Sequence, residues 1–592
     1  MIVLGVNDGC NASITLIDNG NIVCILEEER FSRVKMDSGY PKLAIEYFKN
    51  TFSKYLGNIS YIAVSNTNLD FYSLTTKRYP LFSIEDFLKE EEKIWLPSLD
   101  SGKEVDPVNQ MSEYINYSLT EYPIQSIKDY NNLEDINLIR KKHISSALNI
   151  DIKKIIFVDH HLCHAHHAYF SSPIRNDCLI MTIDGGGDNT NATVHKVSDD
   201  GKLECLYRSN FFNIGRIYRL ITLLLGMKPG EHEYKLMGLS AYTKEHSLKP
   251  VLSIFQNTYY IDGLEIKCKV DIKNHYQYFK KKFEGYRFDA IAGGLQRYTE
   301  ELLTQWTQNW LNETGLSNVT FSGGVALNIK ASKCISELPE VDDIFVCLGG
   351  GDESLSVGAA QYVYLQNKDS SELMPITKAS ISAGFDESDV KEALNHPLIK
   401  KEYQITKGFN EENIAKLLSE GNVVALIHGN MEFGPRALGN RSILADPRDV
   451  SIVRTINEVI KNRDFWMPFT PSIIEERSYD YMKNDKKLLS PFMTLAFDST
   501  ELARKEIPAA IHAYDLTLRP QILTKELNAK YYKIIKEFEK ITGVGALLNT
   551  SLNIHGKPIV HKPIDIFNEI LSHELVDLKY VVIEDILISK KD

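Results

Sequence analysis

The chain is poor in cysteine, with eight in 592 residues, and no two of them are spaced as a C-x-x-C pair. That spacing excludes a zinc ribbon and offers no disulfide framework, so we expect a reducing, cytoplasmic setting. A basic surplus is also missing, because the formal net charge is −12, and this argues against a nucleic-acid partner. No apolar run approaches the ~20 residues of a membrane helix. The first residues lack a basic segment and a cleavage site, so we expect neither a signal peptide nor membrane insertion.

Chain length points to two domains, because 592 residues exceed what one hydrophobic core supports. The run 2–26 alternates strands and turns, with an Asn-Gly hairpin signal between its last two strands. A similar pattern returns at 178–197, where 184–187 is predicted to be a glycine turn, and 279–313 is predicted to be helical. Two such units indicate a duplicated α/β fold with a cleft between its lobes. The polar stretch 365–390 predicts the boundary between domains 1–370 and 371–592.

Segment 429–444 (GNMEFGPRALGNRSIL) places Arg436 and Arg441 among glycines and a proline, and Lys461 and Arg463 follow further along. Glycines leave backbone N–H groups accessible, and arginine forks grip phosphate or carboxylate oxygens bidentately. Surface ion pairs would explain an isolated arginine here, but four clustered cations favour an anion site. This half of the chain is therefore predicted to handle a nucleotide or an acyl phosphate. The Walker and dinucleotide-binding patterns are absent.

Five histidines fall within 160–167. His160 and His164 are spaced i and i+4 on a predicted helix, so they can share one metal ion. Such a pair is also common as a purely structural feature, and spacing alone leaves both interpretations open. Asp184 and Asp352, each beside three glycines, offer carboxylate ligands. Two histidines plus carboxylates with open positions would suit Fe²⁺ or a similar divalent ion that acts as Lewis acid and template.

Several motifs resemble known enzymes. Segment 322–328 (SGGVALN), the histidine pair and Asp352 resemble the tRNA threonylcarbamoyltransferase fold, a duplicated RNase H-like domain of the actin and sugar-kinase class. Segments 421–444, 461–468 and 549–553 (NTSLN) resemble a YrdC-like α/β domain. Their pairing on one chain resembles the O-carbamoyltransferases of the nodulation-protein and cephem-carbamoylation family, which includes a tobramycin-modifying type. The resemblance runs essentially from end to end.

The resemblance implies a two-site mechanism in natural-product or antibiotic biosynthesis. The C-terminal domain would make carbamoyl adenylate from carbamoyl phosphate and ATP with Mg²⁺. The N-terminal domain would transfer the carbamoyl group to a hydroxyl of a small natural product or sugar, and a homodimer is compatible with this. The ion that orients the adenylate would be held by His160, His164, Asp184 and Asp352. The residues implied to bind ATP or the adenylate are Lys35, Glu233, Asn328, Arg436, Lys461, Arg463, Arg519, Ser551 and Asn553. Lys35 is also implied to take part in catalysis.

Two positions depart from the family pattern. Cys10 stands where the family has the histidine expected to take the proton of the acceptor hydroxyl, and a thiol is mostly protonated at neutral pH. Asp8 could serve instead if burial raised its basicity. Met467 stands at a position where many members of the family have an arginine. The alternatives are a degenerate module that binds the adenylate without transferring the group, or carbamoylation of a protein or RNA. We expect acceptor selectivity to lie in the insert 72–130 and near Cys10.

Overall fold

The computed structural model describes residues 1–69, 81–114, 122, 132–461, 463–573 and 576–591, so part of the predicted selectivity insert lies outside the described residues. The chain divides into two compact units. Unit 1 comprises Met1–Val23, Glu27–Ser32 and Met36–Pro375, and unit 2 comprises Cys24–Leu26, Arg33–Lys35 and Ile376–Asp592. Within the described residues, no helix combines the length and the apolar character needed to cross a bilayer.

Two five-stranded sheets in unit 1 share one strand order. The first has the order β3-β2-β1-β4-β5 and the second β12-β11-β6-β7-β8. Their strands, with the separate hairpin β9–β10, are β1 (Ile2–Asn7), β2 (Ser13–Asp18), β3 (Asn21–Glu27), β4 (Tyr61–Ser65), β5 (Ile155–Val158), β6 (Cys178–Gly187), β7 (Thr190–Val197), β8 (Leu203–Ser209), β9 (Tyr259–Asp262), β10 (Glu265–Cys268), β11 (Asn318–Ser322) and β12 (Asp343–Val346). In both sheets a central strand pairs antiparallel on one side and parallel on the other. This repeated topology agrees with the predicted duplication.

The hairpin between β2 and β3 forms as predicted. Asn19 and Gly20 have φ of +46° and +80°, the pair of left-handed residues that a tight two-residue hairpin turn requires. The glycine turn predicted at 184–187 is wrong, because β6 continues to Gly187 with an irregular register. The turn falls instead on Asp188 and Asn189, whose φ values are +49° and +57°. Short polar side chains tolerate this conformation, so the glycines are not needed for the reversal.

The helices of unit 1 pack against these sheets. The helix predicted over 279–313 is two helices, because the chain turns at Gly285 with φ of +83°. A Cβ on Gly358 would lie 1.8 Å from the carbonyl oxygen of Cys163, so two of the helices are in direct backbone contact. The helices are Glu28–Ser32, Lys42–Thr51, Ser53–Leu56, Ile84–Glu90, Glu91–Asp100, Pro107–Gln110, Leu133–Leu148, His160–Phe170, Ile214–Leu224, Glu233–Ser240, Glu245–Gln256, His275–Lys282, Phe288–Thr314, Ile329–Ser336 and Leu355–Leu365.

Unit 2 is built on an eight-stranded mixed sheet of order β13-β22-β21-β14-β15-β20-β16-β19, with β17 and β18 paired separately. The strands are β13 (Tyr403–Lys407), β14 (Val424–Ile427), β15 (Arg441–Ala445), β16 (Thr470–Ile474), β17 (Phe497–Asp498), β18 (Thr517–Leu518), β19 (Gln521–Leu523), β20 (Ala546–Ser551), β21 (Tyr580–Ile583) and β22 (Ile586–Lys590). The helices are Glu387–Leu394, Pro397–Glu402, Glu411–Ser419, Ser451–Arg454, Thr455–Lys461, Ser478–Tyr481, Glu501–Glu506, Ala529–Thr542, Pro563–Asp565 and Ile566–Ile570. The α/β character is confirmed, and the YrdC-like assignment stays a prediction.

Candidate active site and cation cluster

Four candidate metal ligands meet in unit 1. His160 and His164 lie on successive turns of the helix that follows β5. Asp184 lies in β6, and Asp352 begins a short turn after β12. One ligand atom from each residue lies within 4.8 Å of those of the other three. The structure therefore brings together the four residues from which the sequence predicts a metal site.

Buried atoms without hydrogen-bond partners belong to this cluster. They are Nε2 of His160, Nε2 of His164 and Oδ1 of Asp352. Nε2 of His160 lies 3.4 Å from Oδ2 of Asp184 and 3.7 Å from Oδ1 of Asp352. Nε2 of His164 lies 3.4 Å from the same Asp352 oxygen. An unsatisfied buried polar atom costs about 1–3 kcal/mol, and one divalent cation would satisfy all three. Two imidazoles and two carboxylates fit a divalent transition metal.

The charges of the four residues are strongly coupled. Burial lowers the pKa of His160, but contact with Asp184 and the charge of Asp352 raise it to about 9. Burial raises the pKa of Asp352 to about 7, and the charge of Asp184 adds to that effect. Burial also works to raise the pKa of Asp184, yet His160 holds it below its ordinary value. For His164, burial and the His160 charge lower the pKa to about 3. The cluster thus holds protons that a bound cation would release.

Three residues that the sequence analysis did not assign to the site hold His160. Nδ1 of His160 lies 2.8 Å from Oδ1 of Asn66. The backbone N–H of His160 donates to the Asp188 carboxylate at 2.8 Å. A Cβ on Gly187 would lie 2.2 Å from Cγ of His160, so only glycine lets the strand approach the imidazole. Gly187 therefore serves close packing at the site rather than a turn. Asn66 and Asp188 carry no recognisable signal in a single sequence.

The turn after β1 carries the two predicted proton acceptors. Asp8 is fully buried, and its oxygens accept hydrogen bonds from Arg140 at 2.6 and 2.8 Å and from the Tyr122 hydroxyl at 2.6 Å. Cys10 is partly exposed, and its carbonyl oxygen accepts from Asn7 Nδ2 at 2.7 Å. Asp8 is thus the anionic partner of Arg140 here, and a role as proton acceptor would require that ion pair to open.

Glu233 and Asn328, which are predicted to line the nucleotide cleft, both contact the starts of helices. Glu233 accepts from the Gly230 N–H at 2.6 Å, and burial raises its pKa. Asn328 accepts from the Ala331 N–H at 3.1 Å and exchanges two amide hydrogen bonds with Gln296, at 2.9 and 3.0 Å. These contacts fix both side chains in unit 1, and their roles towards a nucleotide stay predictions.

Unit 2 contains a buried lysine whose described hydrogen-bond partners are all neutral oxygen atoms. Lys461 is 4% exposed, and its ammonium donates to the carbonyl and hydroxyl oxygens of Ser551 at 2.5 and 2.9 Å and to Asn553 Oδ1 at 2.9 Å. Burial lowers the pKa of Lys461 well below its ordinary value, and the charges of Arg463 and Lys35 lower it further. Lys461 is therefore in direct contact with Ser551 and Asn553. All three residues are predicted to bind ATP or the adenylate.

Arg519 extends this group. Its Nε is buried without a hydrogen-bond partner, and burial, then the charges of Arg436 and Arg463, push its pKa well below the usual value. Because an arginine stays protonated in proteins, the unfavourable charge would be relieved by a bound anion rather than by loss of a proton. Among the described residues, neither Lys461 nor Arg519 forms an ion pair with a carboxylate. We call Lys35, Arg436, Lys461, Arg463 and Arg519 the cation cluster.

Arg441, which the sequence suggests as an anion ligand, is placed differently. It is fully buried and donates to the carbonyl oxygens of His561, His428 and Gly429 at 3.1, 2.9 and 3.0 Å. Glu432 accepts three backbone N–H bonds from residues 438, 440 and 441 through one oxygen. These two side chains hold the loop in place, and the prediction for Arg441 is wrong because its donors are occupied by backbone. Met467 is buried.

The geometry fits what comparison with known proteins finds. Residues 3–361 match the family described as Carbamoyltransferase N-terminus, and residues 415–590 match Carbamoyltransferase C-terminus. Together these matches define a transferase enzyme that moves carbamoyl groups. The chain belongs to the carbamoyltransferase family.

Several relatives match over most of the chain. An uncharacterized protein of Methanocaldococcus jannaschii is 30% identical, covering 100% of both chains. Nodulation protein NolNO of Sinorhizobium fredii is 26% identical over 98% of this chain and 79% of its own. Nodulation protein NolO of Bradyrhizobium diazoefficiens is 28% identical over 73% of this chain and 79% of its own.

Solved structures give weaker similarity. Component A of (R)-2-hydroxyglutaryl-CoA dehydratase from Acidaminococcus fermentans has a TM-score of 0.33 and 14% identity, covering 62% of this chain and 98% of its own. A glucokinase of the ROK family from Streptomyces griseus has a TM-score of 0.27 and 10% identity, and the match covers 61% of this chain and 99% of the glucokinase. Scores of this size do not establish a shared fold.

Proposed function

We propose that the protein is an ATP-dependent O-carbamoyltransferase. Unit 2 would make carbamoyl adenylate, and unit 1 would transfer the carbamoyl group to a hydroxyl of a small natural product or sugar. The observation that carries the adenylation half is the cation cluster. Lys461 is buried, and Nε of Arg519 is buried without a hydrogen-bond partner. Both groups are repelled by cationic neighbours, and neither forms an ion pair with a carboxylate within the described part of the chain. Polyphosphate is the ligand that this arrangement favours.

Synthesis of carbamoyl adenylate in unit 2 would take two steps. Water cleaves carbamoyl phosphate to carbamate and phosphate. A carbamate oxygen then attacks the α-phosphorus of ATP, which forms the mixed anhydride and releases pyrophosphate. Lys461 and Arg519 would neutralise the charge that collects on the leaving pyrophosphate, because fixed donors in a buried site need no reorganisation during the reaction.

The second half is a displacement at the carbamoyl carbon. The acceptor hydroxyl forms the C–O bond of the carbamate ester, AMP leaves, and the hydroxyl proton is lost. A divalent ion held by His160, His164, Asp184 and Asp352 would supply Lewis acidity and orient the adenylate. The chain's own contribution is to hold those four side chains on three separate elements within one small volume.

Isotope exchange separates the two halves. With ATP and carbamoyl phosphate, the protein should catalyse exchange of labelled pyrophosphate into ATP. Lys461→Ala should abolish the exchange, whereas the matched exposed-residue control Lys525→Ala should not. His160→Ala should spare the exchange and block only carbamoyl transfer, with exposed His246→Ala as its control.

Each outcome has a distinct meaning. No exchange under any metal condition would refute adenylation by this chain. Exchange without transfer to any hydroxylated acceptor would favour a module that makes or holds the adenylate only. Loss of exchange in His160→Ala, with metal content unchanged, would refute the proposed division of labour between the units.

A further inference from the structure

The buried amide of Asn7 has a single possible orientation. Asn7 ends β1 and is fully buried. Its Nδ2 faces three backbone carbonyl oxygens, those of Cys10 at 2.7 Å, Asn11 at 3.2 Å and Asp352 at 3.0 Å. Carbonyl oxygens only accept hydrogen bonds, so the atom that faces them must be the NH₂ group. One amide therefore ties the turn that carries Cys10 to the backbone of a candidate metal ligand.

The orientation of Asn7 fixes the next amide. Its Oδ1 must accept, and it lies 2.8 Å from the Ser65 hydroxyl and 3.3 Å from Nδ2 of Asn66. Asn66 is 7% exposed and turns its own Oδ1 to Nδ1 of His160 at 2.8 Å. An amide oxygen cannot donate, so Nδ1 of His160 must carry the hydrogen. The lone pair available to a metal is then on Nε2, which is the atom nearest Asp184 and Asp352.

The backbone around Asn66 is held from two further directions. The guanidinium of Arg140, paired with buried Asp8, donates to the Asn66 carbonyl oxygen at 2.8 Å. The Asp188 carboxylate accepts from the backbone N–H of His160 at 2.8 Å and from the N–H groups of the two residues after Asn66, at 2.9 and 2.6 Å. The backbone at and after Asn66 is therefore held by the Asp188 carboxylate, which also binds the first residue of the His160–Phe170 helix, and by the Arg140–Asp8 ion pair.

We infer that Asn7 and Asn66 form an amide relay that sets the tautomer and orientation of His160 and couples the Cys10 turn to the metal centre. Asn7 and Asn66 act here as positioning residues, because the relay works through His160 and through backbone. This inference rests on the proposed function, and it extends that function to side chains outside the ligand set. Partners that orient a metal-bound histidine through its second nitrogen commonly change metal affinity or activity by about 10–100-fold when mutated.

Titration of the full-length protein with Co²⁺, followed by visible absorption, tests the relay without any substrate. Asn66→Leu removes the acceptor for Nδ1–H and should weaken Co²⁺ binding by about 10–100-fold. Asn66→Asp keeps an acceptor oxygen at His160 and should retain near-parental affinity. Asn257→Leu, at an exposed asparagine of unit 1, is the matched control. If Asn66→Leu does not fold by circular dichroism, Asn66→Ala, which also lacks an acceptor, should show the same loss.

A second readout separates the relay from a merely structural role. Asn66→Asp cannot donate to Asn7, so it should lower kcat for transfer while the Co²⁺ affinity and the pyrophosphate exchange of unit 2 stay unchanged. Equal Co²⁺ affinity of the parent, Asn66→Leu and Asn66→Ala would overturn the relay and leave the proposed function standing. Absence of Co²⁺ binding by the parent would overturn the metal centre and the relay together.

Discussion

If the cation cluster binds pyrophosphate as proposed, the burial of Lys461 predicts that protons are taken up on binding. Burial and the charges of Arg463 and Lys35 lower its pKa in the ligand-free protein, so the ammonium loses its proton more easily than an exposed lysine does. A bound polyanion beside it favours the charged form and raises that pKa. Between the lowered value and the ordinary 10.5, each bound pyrophosphate should therefore draw up to about one proton from solution.

Calorimetry in buffers of different ionisation enthalpy measures this uptake directly. By linkage, the apparent affinity should weaken by up to about tenfold for each unit of pH above the ligand-free pKa of Lys461. Pyrophosphate itself also takes up protons, so the comparison is with Lys461→Arg, whose side chain stays charged throughout. The difference between the two proteins isolates the lysine. A difference of zero at every pH from neutral to alkaline would refute the reasoning.

Buried contacts in both units lead to three stability predictions. Arg140→Met should lower the free energy of unfolding by about 3–5 kcal/mol, because it strands the buried Asp8 carboxylate; urea unfolding measures this, and an unchanged midpoint would contradict it. Gly358→Ala should cost about 1–3 kcal/mol, because its Cβ would lie 1.8 Å from a carbonyl oxygen; an unaltered Tm would count against that packing. Burial lowers the pKa of His561 from 6.5 to about 3, so as pH falls the unfolded chain binds a proton before the folded protein does. The contribution of the neutral, buried His561 to the free energy of unfolding is therefore complete above pH 6.5 and is lost as pH falls towards 3. At about pH 5 the loss should be about 2 kcal/mol, and His561→Gln should remove that pH-dependent part.

The sequence predicts those features that depend on local pattern. The Asn-Gly pair predicts the first hairpin because two left-handed residues are needed there. The i, i+4 spacing places His160 and His164 on one helix face, where their ring centroids are 4.8 Å apart. Asp184 and Asp352 lie far from them in the chain, and only the parallel strands of the second sheet bring the carboxylates to the histidines.

Other features depend on tertiary partners and leave no such pattern. Arg441 looks like an anion ligand in the sequence because nothing there indicates that four backbone carbonyl oxygens accept from its guanidinium. Asn7 ends one strand and Asn66 follows another, and neither stands out among the polar residues of the sequence. Their importance comes from being buried where each amide has one orientation. In the sequence Asp8 is a candidate base. The structure shows that it is paired with Arg140, which lies more than a hundred residues further along the chain.

The position of Cys10 follows from how its turn is held. The backbone there is fixed by the Asn7 amide, which binds the carbonyl oxygens of residues 10 and 11, and by a hydrogen bond from the Gly39 N–H to the Gly9 carbonyl. None of these contacts uses the side chain of residue 10. The Asn7 amide also links this turn to the carbonyl oxygen of Asp352. These contacts fix the backbone from which residue 10 projects, so the thiol found here, and the histidine that the family resemblance implies at this position, would be presented from a turn that is tied to a candidate metal ligand.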